Sequence, residues 1–325
     1  LIRRLLQLTE IPNYSAYVLK NEGFWKVLRM IAAMAENTGM IYKYLNDKII
    51  NTDEHMNNDN FMLVLGLLDE ISSIGAIGSR WEQEYNQSVK SGHKISNENP
   101  YQSIVELSLK SINTTAHLVE KCSLTHNEII AIVQALAHQC INPCEQIRHY
   151  ALSSLQVSLT ENITLPIGGI ETVEELLDNG LLTLLKTNDN DANNTGDEKT
   201  NKKPDAKKGS HNIPVKQILE VVSAVYLYYL KQGNVTNETY MKVLNVYNEY
   251  MEIEGIEAQL QKMILEKKNI EKELGLDSRT QSPAPTATPV ETKDSSKPTE
   301  SEATVGTPAE TPVVTNQTTK TPAKE

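Results

Sequence analysis

Aromatic residues make up only 5% of the 325-residue chain, and Trp25, Trp81, Phe24 and Phe61 are all that it has of tryptophan and phenylalanine. Strands favour aromatic and β-branched side chains, so a β-sandwich of ordinary composition is excluded. Cysteine is equally scarce. Cys122, Cys140 and Cys144 are too few and too close together to staple a secreted domain. Positive charge is in deficit, 31 Lys and Arg against 42 Asp and Glu for a formal charge of −11, which excludes generic coating of DNA or RNA. Bulk attraction to an anionic membrane is disfavoured for the same reason, leaving only a local patch for that role. No uninterrupted apolar run approaches the roughly 18–20 residues of a spanning helix, so the chain reads as soluble and not transmembrane. Asn-x-Ser/Thr triplets such as Asn113 to Thr115 follow from a composition rich in both residues. The chain starts at Leu1 without methionine or signal peptide, already inside an amphipathic pattern (Leu1, Leu5, Leu8), and reads as a piece of something longer.

Two stretches lack the material for a core. Residues 187–212 have only Ala192 and Ala206 as apolar residues, with five acidic and five lysine side chains, and read as a disordered linker. Residues 277–325 hold no aromatic, Leu or Ile and seven of the thirteen prolines, so ordering them would lose entropy with nothing buried in return. They read as a disordered Pro/Thr-rich tail.

The remainder is helical in period. Phe61, Val64, Leu65, Leu68, Ile71 and Ile74 share one helix face, as do Ile104, Leu107, Ile112, Ala116 and Val119. Ile218, Val221, Val222, Val225 and Tyr229 repeat the spacing, and so do Tyr240, Val243, Leu244, Tyr247 and Met251. Sustained period-two alternation is absent, so the fold class is all-α.

The local signals are densest from Ser123 to Thr160. Thr125-His126-Asn127-Glu128 is a capping box, opening a helix that buries Ile129, Val133, Leu136 and Cys140. Asn142-Pro143 ends it and starts the next, with Asn142 expected as N-cap, Pro143 in the first helical position and Glu145 near the positive helix end. So short a connection predicts an αα-hairpin. In its second helix, Ile147-Arg148, Ala151, Leu152 and Leu155 resemble the inner helix of a HEAT repeat. There the small residue admits a neighbouring helix, the leucines fill the seam, and the arginine bonds to an adjacent repeat. One such pair cannot bury both faces, so a HEAT/armadillo-like α-solenoid is expected.

Phe61-Met-Leu-Val-Leu-Gly-Leu-Leu-Asp-Glu-Ile-Ser-Ser-Ile-Gly75, Asn142-Pro-Cys-Glu-Gln-Ile-Arg-His-Tyr-Ala-Leu-Ser-Ser-Leu-Gln156 and Glu174-Glu-Leu-Leu-Asp-Asn-Gly-Leu-Leu-Thr-Leu-Leu185 follow in that order. Together they resemble the region downstream of the catalytic domain in large guanine nucleotide exchange factors for Arf GTPases, nearest the Golgi brefeldin-A-resistant, Gea-type branch of fungi. The resemblance implies that residues 1–86 end the first downstream homology region, 100–186 form the second and 213–276 a weak third. It also implies regulation and recruitment to early Golgi membranes in vesicle-mediated transport. The partners implied are an Arf-family or Rab-family small GTPase and Golgi lipids, with no nucleic acid, no cofactor and a peripheral, cytoplasmic location. The catalytic exchange domain has no counterpart, so the chain itself is expected not to be an enzyme. Ile163 to Thr172 is short and lacks the tryptophan usual in the family's second region.

Candidate chemistry is thin. His138, Cys140, Cys144 and His149 can be written as four metal ligands, but they straddle two helices instead of a tight knuckle, and Cys140 reads as a small buried hydrophobe. Cys144 has no neighbouring base to make it a nucleophile. Gly75-Ala-Ile-Gly78 and Gly168-Gly169 are too sparse to cradle phosphate. Glu174-Glu175 complement a helix dipole. Lys202-Lys203 and Lys207-Lys208 read as solvated, with a lipid contact or sorting signal as the alternative. Arg3 and Arg4 beside an apolar face fit either a membrane-surface helix or an ordinary solenoid helix. One helix is expected from about Thr236 to Gly275, stepping through Ile253, Ile256, Leu260, Met263, Ile270 and Leu274 with Lys267 in the seam. Packing on the preceding helix is favoured for it over self-association. The rival functional readings are an unrelated HEAT-like trafficking scaffold and an uncharacterised helical enzyme.

Overall fold

The computed structural model describes residues 2–52, 55–92, 96, 98–121, 123–169, 171–182, 185 and 205–276, with 205–214 as backbone only. Among them every element is helical: α1 (Ile2–Gln7), α2 (Ser15–Lys20), α3 (Glu22–Ala32), α4 (Ala35–Tyr44), α5 (Phe61–Ile74), α6 (Gly78–Ser91), α7 (Gln102–His117), α8 (His126–Gln139), α9 (Glu145–Val157), α10 (Val173–Leu176), α11 (Asp205–Lys231), α12 (Asn237–Glu249) and α13 (Ile256–Glu273). The all-α expectation holds. Wider π-helical turns extend α4, α9 and α10, at Leu45–Ile50, Ser158–Asn162 and Leu177–Leu181.

Packing proceeds from neighbour to neighbour. Helix α5 lies on α3, α7 and α8, α9 on α7 and α8, and α11 on α9, α12 and α13. This is the pattern of a repeat array, in which each pair buries a face only by stacking on the next. Leu1–Ser278 form one compact unit. Most inward residues read from the period are buried, including Val64, Leu68 and Ile71 on α5, Ile129, Val133 and Leu136 on α8, and Val222, Val225 and Tyr229 on α11, while Ile74, Ile104, Leu107, Tyr240 and Leu244 are half-buried.

Several expectations change. The helical stretch Phe61–Ser91 contains an 18-residue window of mean hydropathy 1.6, long and apolar enough to cross a membrane, although no uninterrupted apolar run reaches that length. Half of that window is buried within the protein, and Asp69 interrupts it to meet His138 on α8. The single helix expected from Thr236 to Gly275 is two. Gly255 takes φ of 90°, a conformation open to glycine at little cost, and turns the chain between α12 and α13. Met251, expected on the buried face, is exposed in that turn. Helix α13 then packs on α11 as expected through Ile256, Met263 and Ile270, while Lys267 lies over the Tyr240 ring at 4.5 Å and pairs with Glu271. A lysine is tolerated in the seam because its stem packs and its ammonium meets a π face and a carboxylate.

Residues 205–212, expected in the linker, are helical. Extending a helix beyond the buried segment that begins at Val215 needs no new nucleus. The rest of that linker through 204, and the tail from 277, lie outside the described residues, as does Cys122.

Candidate functional site

The geometry of the hairpin α8–α9 is built from both near and distant residues. Glu128 closes the capping box of α8, its Oε2 accepting from the Thr125 amide at 2.7 Å and the Thr125 hydroxyl at 2.8 Å. Of the seam residues, Ile147 and Ala151 are fully buried, and Asn142, Leu152 and Leu155 nearly so. Pro143 is exposed in the turn.

Asn142 is not the N-cap of α9; Cys144 is. The Asn142 side chain bridges the turn instead, donating to Gln139 Oε1 at 2.9 Å and accepting the Cys144 amide at 3.0 Å. The start of α9 is satisfied by Glu82 of α6, whose Oε2 accepts the Glu145 amide at 2.9 Å and whose Oε1 accepts Cys144 Sγ at 3.2 Å. Arg148 also departs from expectation. It donates Nη1 to the Asn142 carbonyl at 2.9 Å, inside its own hairpin and not to a neighbouring repeat.

The side chains that could be written as metal ligands part company. His138 pairs with Asp69 at 3.1 Å, His149 with Gln217 at 2.9 Å, Cys140 points its thiol at the Leu136 carbonyl and Cys144 at Glu82. Among the described residues no group of three or more His, Cys, Asp or Glu could hold a metal ion. Burial pushes the Cys144 thiol up to about 11 and the Cys140 thiol higher still, which keeps both protonated near neutrality.

A polar belt joins α10 and its π-helical extension to α8 and α12. Glu175 pairs with His126 at 3.2 Å. Glu174 accepts from the Thr236 hydroxyl at 2.9 Å and from the Thr239 hydroxyl, and Asp178 pairs with Lys242 at 2.5 Å. Burial works to raise the Glu174 pKa, but the Thr239 and Thr236 hydroxyls and the Lys242 charge outweigh it, and the value is lowered.

Arg3 and Arg4 are both exposed on α1, whose Leu6 is buried. Arg3 lines an open hollow of ≈ 390 Å³ with Lys43, Tyr44 and Lys48. Large apolar residues are also exposed in the amino-terminal segment. Leu8, Ile11, Tyr14, Tyr17, Val27, Met30 and Met34 are exposed, with Tyr17 at 70% and Met30 at 64%. Helical spacing alone would assign most of these to a core, and only packing shows them exposed.

A family model described as the GBF1-like, tetratrico peptide repeat region matches residues 129–272. In Saccharomyces cerevisiae, ARF guanine-nucleotide exchange factor 2 is 47% identical over 278 residues, covering 85% of this chain. Residues 129–272 are thus similar to the GBF1-like repeat family. ARF guanine-nucleotide exchange factor 1 of the same yeast is 37% identical over 266 residues, or 80% of the chain. The chain spans 18% of the length of these curated relatives and is therefore similar to one part of each. The repeat named for this GBF1-like family is the tetratricopeptide, where the Ile147 to Leu155 pattern suggested HEAT. Both are stacked antiparallel helix pairs.

Proposed function

We propose that this chain is a non-catalytic, regulatory and membrane-recruiting part of an Arf guanine-nucleotide exchange factor that acts in Golgi vesicle-mediated transport. The observation that carries this reading is the 47% identity to one ARF exchange factor across most of the chain. In this reading residues 1–86, 100–186 and 213–276 are successive downstream homology regions on one helical array. They hold the exchanger peripherally on the cytoplasmic face of early Golgi membranes through an Arf-family or Rab-family GTPase, and exchange itself belongs to another part of the polypeptide. The exposed Tyr14, Tyr17, Met30 and Met34, with Arg3 and Arg4 on the same amino-terminal segment, support a direct lipid contact beside that receptor.

Liposome flotation of the full chain, with and without GTP-loaded lipidated Arf on the vesicles, tests the proposal. Flotation confined to loaded vesicles is the result expected of a protein receptor. Flotation on bare anionic vesicles, lost in Arg3→Ala with Arg4→Ala, assigns recruitment to lipid. Absence from the floated fraction in both cases overturns the recruitment role.

A further inference from the structure

Where α13 diverges from α9 across α11, an open groove of ≈ 480 Å³ remains, with Ala224, Leu227 and Ile270 among its lining. A narrower hollow of ≈ 120 Å³ continues along the α11–α13 seam, sharing Ala224 and Leu227 and adding Met263. Along α13 the two run from Gln259 to Glu273, about 21 Å at 1.5 Å per residue. The apolar lining is interleaved with Gln156, Thr160, Ser223 and Asn269, and its smallest residue, Ala224, lines both hollows.

The rim has one dominant sign. Glu161, Glu220, Glu266 and Glu273 face Lys231 and Lys262, four negative charges against two positive. None of the six takes part in an ion pair among the described residues. An independent polar mark lies at the narrow end. Gln259 donates Nε2 to the Lys216 carbonyl at 3.4 Å, but its Oε1 is buried without a partner. Buried acceptors in folded proteins are nearly always satisfied, and this oxygen is one left unpaired at that end of the groove.

We infer that this groove seats an amphipathic helix of a protein partner, one that carries Lys or Arg beside its apolar stripe. A trough of this length bounded by two helices matches the helix-in-groove mode, in which residues at i, i+3, i+4 and i+7 anchor on an apolar floor. Net negative rims attract a cationic segment and repel a phosphate-bearing surface, which rules against lipid and nucleic acid as the occupant. The groove is distinct from the exposed face around Tyr14 and Tyr17, and its occupancy does not depend on the membrane role proposed above.

Fluorescence anisotropy of the full chain tests this with a labelled synthetic helix of Ala and Leu edged by Lys, and with its twin edged by Glu. The Lys probe binds saturably and more weakly as salt rises, and the Glu probe does not bind. Ala224→Trp fills the floor and weakens the Lys probe at least about tenfold. Glu266→Lys with Glu273→Lys does the same. Glu36→Lys with Glu84→Lys, an equal charge change on α4 and α6, stays within about twofold of the parent. Equal losses in the remote and groove pairs would reduce the effect to bulk charge and overturn the inference. So would parental binding by a folded Ala224→Trp chain. If Ala224→Trp does not fold, the two charge pairs decide alone.

Discussion

Oε2 of Glu82 on α6 accepts the backbone amide of Glu145 at 2.9 Å, across 63 residues of sequence. With Oε1 taking Cys144 Sγ and the Gln146 amide, one carboxylate caps a helix that its own flanking residues leave open. It also places negative charge at the positive end of α9. Replacing it by alanine strands those donors and costs about 1–2 kcal/mol. Urea unfolding of Glu82→Ala checks this; a midpoint equal to the parent removes Glu82 from the cap.

Ala151 is fully buried where α9 meets its neighbours. Ala151→Asp puts a carboxylate there without a partner and destabilises by about 3 kcal/mol or more. A thermal melt indistinguishable from the parent would contradict the seam as described.

Gly75 ends α5 against two other helices. A β-carbon there meets Ile147 Cδ1 at 2.3 Å and Ser108 Oγ at 2.5 Å, while the Gly75 amide donates to that same Ser108 oxygen at 3.0 Å. Gly75→Ala therefore overpacks the junction of α5, α7 and α9, at about 1–3 kcal/mol. Gly92→Ala, where nothing lies within 4 Å but φ is +71°, separates backbone strain from overpacking.

The His138 pKa is raised from its ordinary 6.5, first by its hydrogen bond to Asp69, with partial burial opposing and the charges of Asp69 and Glu70 assisting. A raised histidine contributes stability that is complete below the unfolded value and is lost as pH climbs through the folded one. The window therefore opens near pH 6.5 and extends upward, and the contribution is small because the side chain is half exposed. Proton NMR titration of the His138 ring should show the raised midpoint in the parent and a return toward 6.5 in Asp69→Asn. An unchanged midpoint in that variant rejects the pairing.

Cys140 and Cys144 are both buried, with thiols held well above their usual range. Neither offers thiolate at pH 7.5, and iodoacetamide should leave both unmodified in the native protein and label both in denaturant. Mass spectrometry of the native, treated chain reads the result directly.

What the sequence made legible was short in range. Thr125 and Glu128 are three residues apart, so their box can be read without knowing the fold. Ile147, Ala151 and Leu155 keep helical spacing, so their common face follows from geometry. Asn142 misled because the cap at that helix start comes from Glu82, a distance no local pattern spans. The Lys242–Asp178 pair was hidden for the same reason. Gly255 was visible, but the three-and-four stepping of apolar residues continues through it and masked the break. Nothing in the amino-terminal pattern distinguished Tyr14 and Tyr17 from core residues, since exposure depends on what else packs there.

The Tyr229 hydroxyl lies 2.9 Å from the carbonyls of both Leu159 and Ile163, which the π-helical turn after α9 leaves available. Burial pushes this phenol up to about 12, so it remains a donor at any physiological pH. Together with the Glu174 and Asp178 contacts to α12, it fastens the chain after 205 onto the chain before 185. A protein nicked between those points would keep its halves together, and the two halves expressed as separate polypeptides should find each other and reassemble.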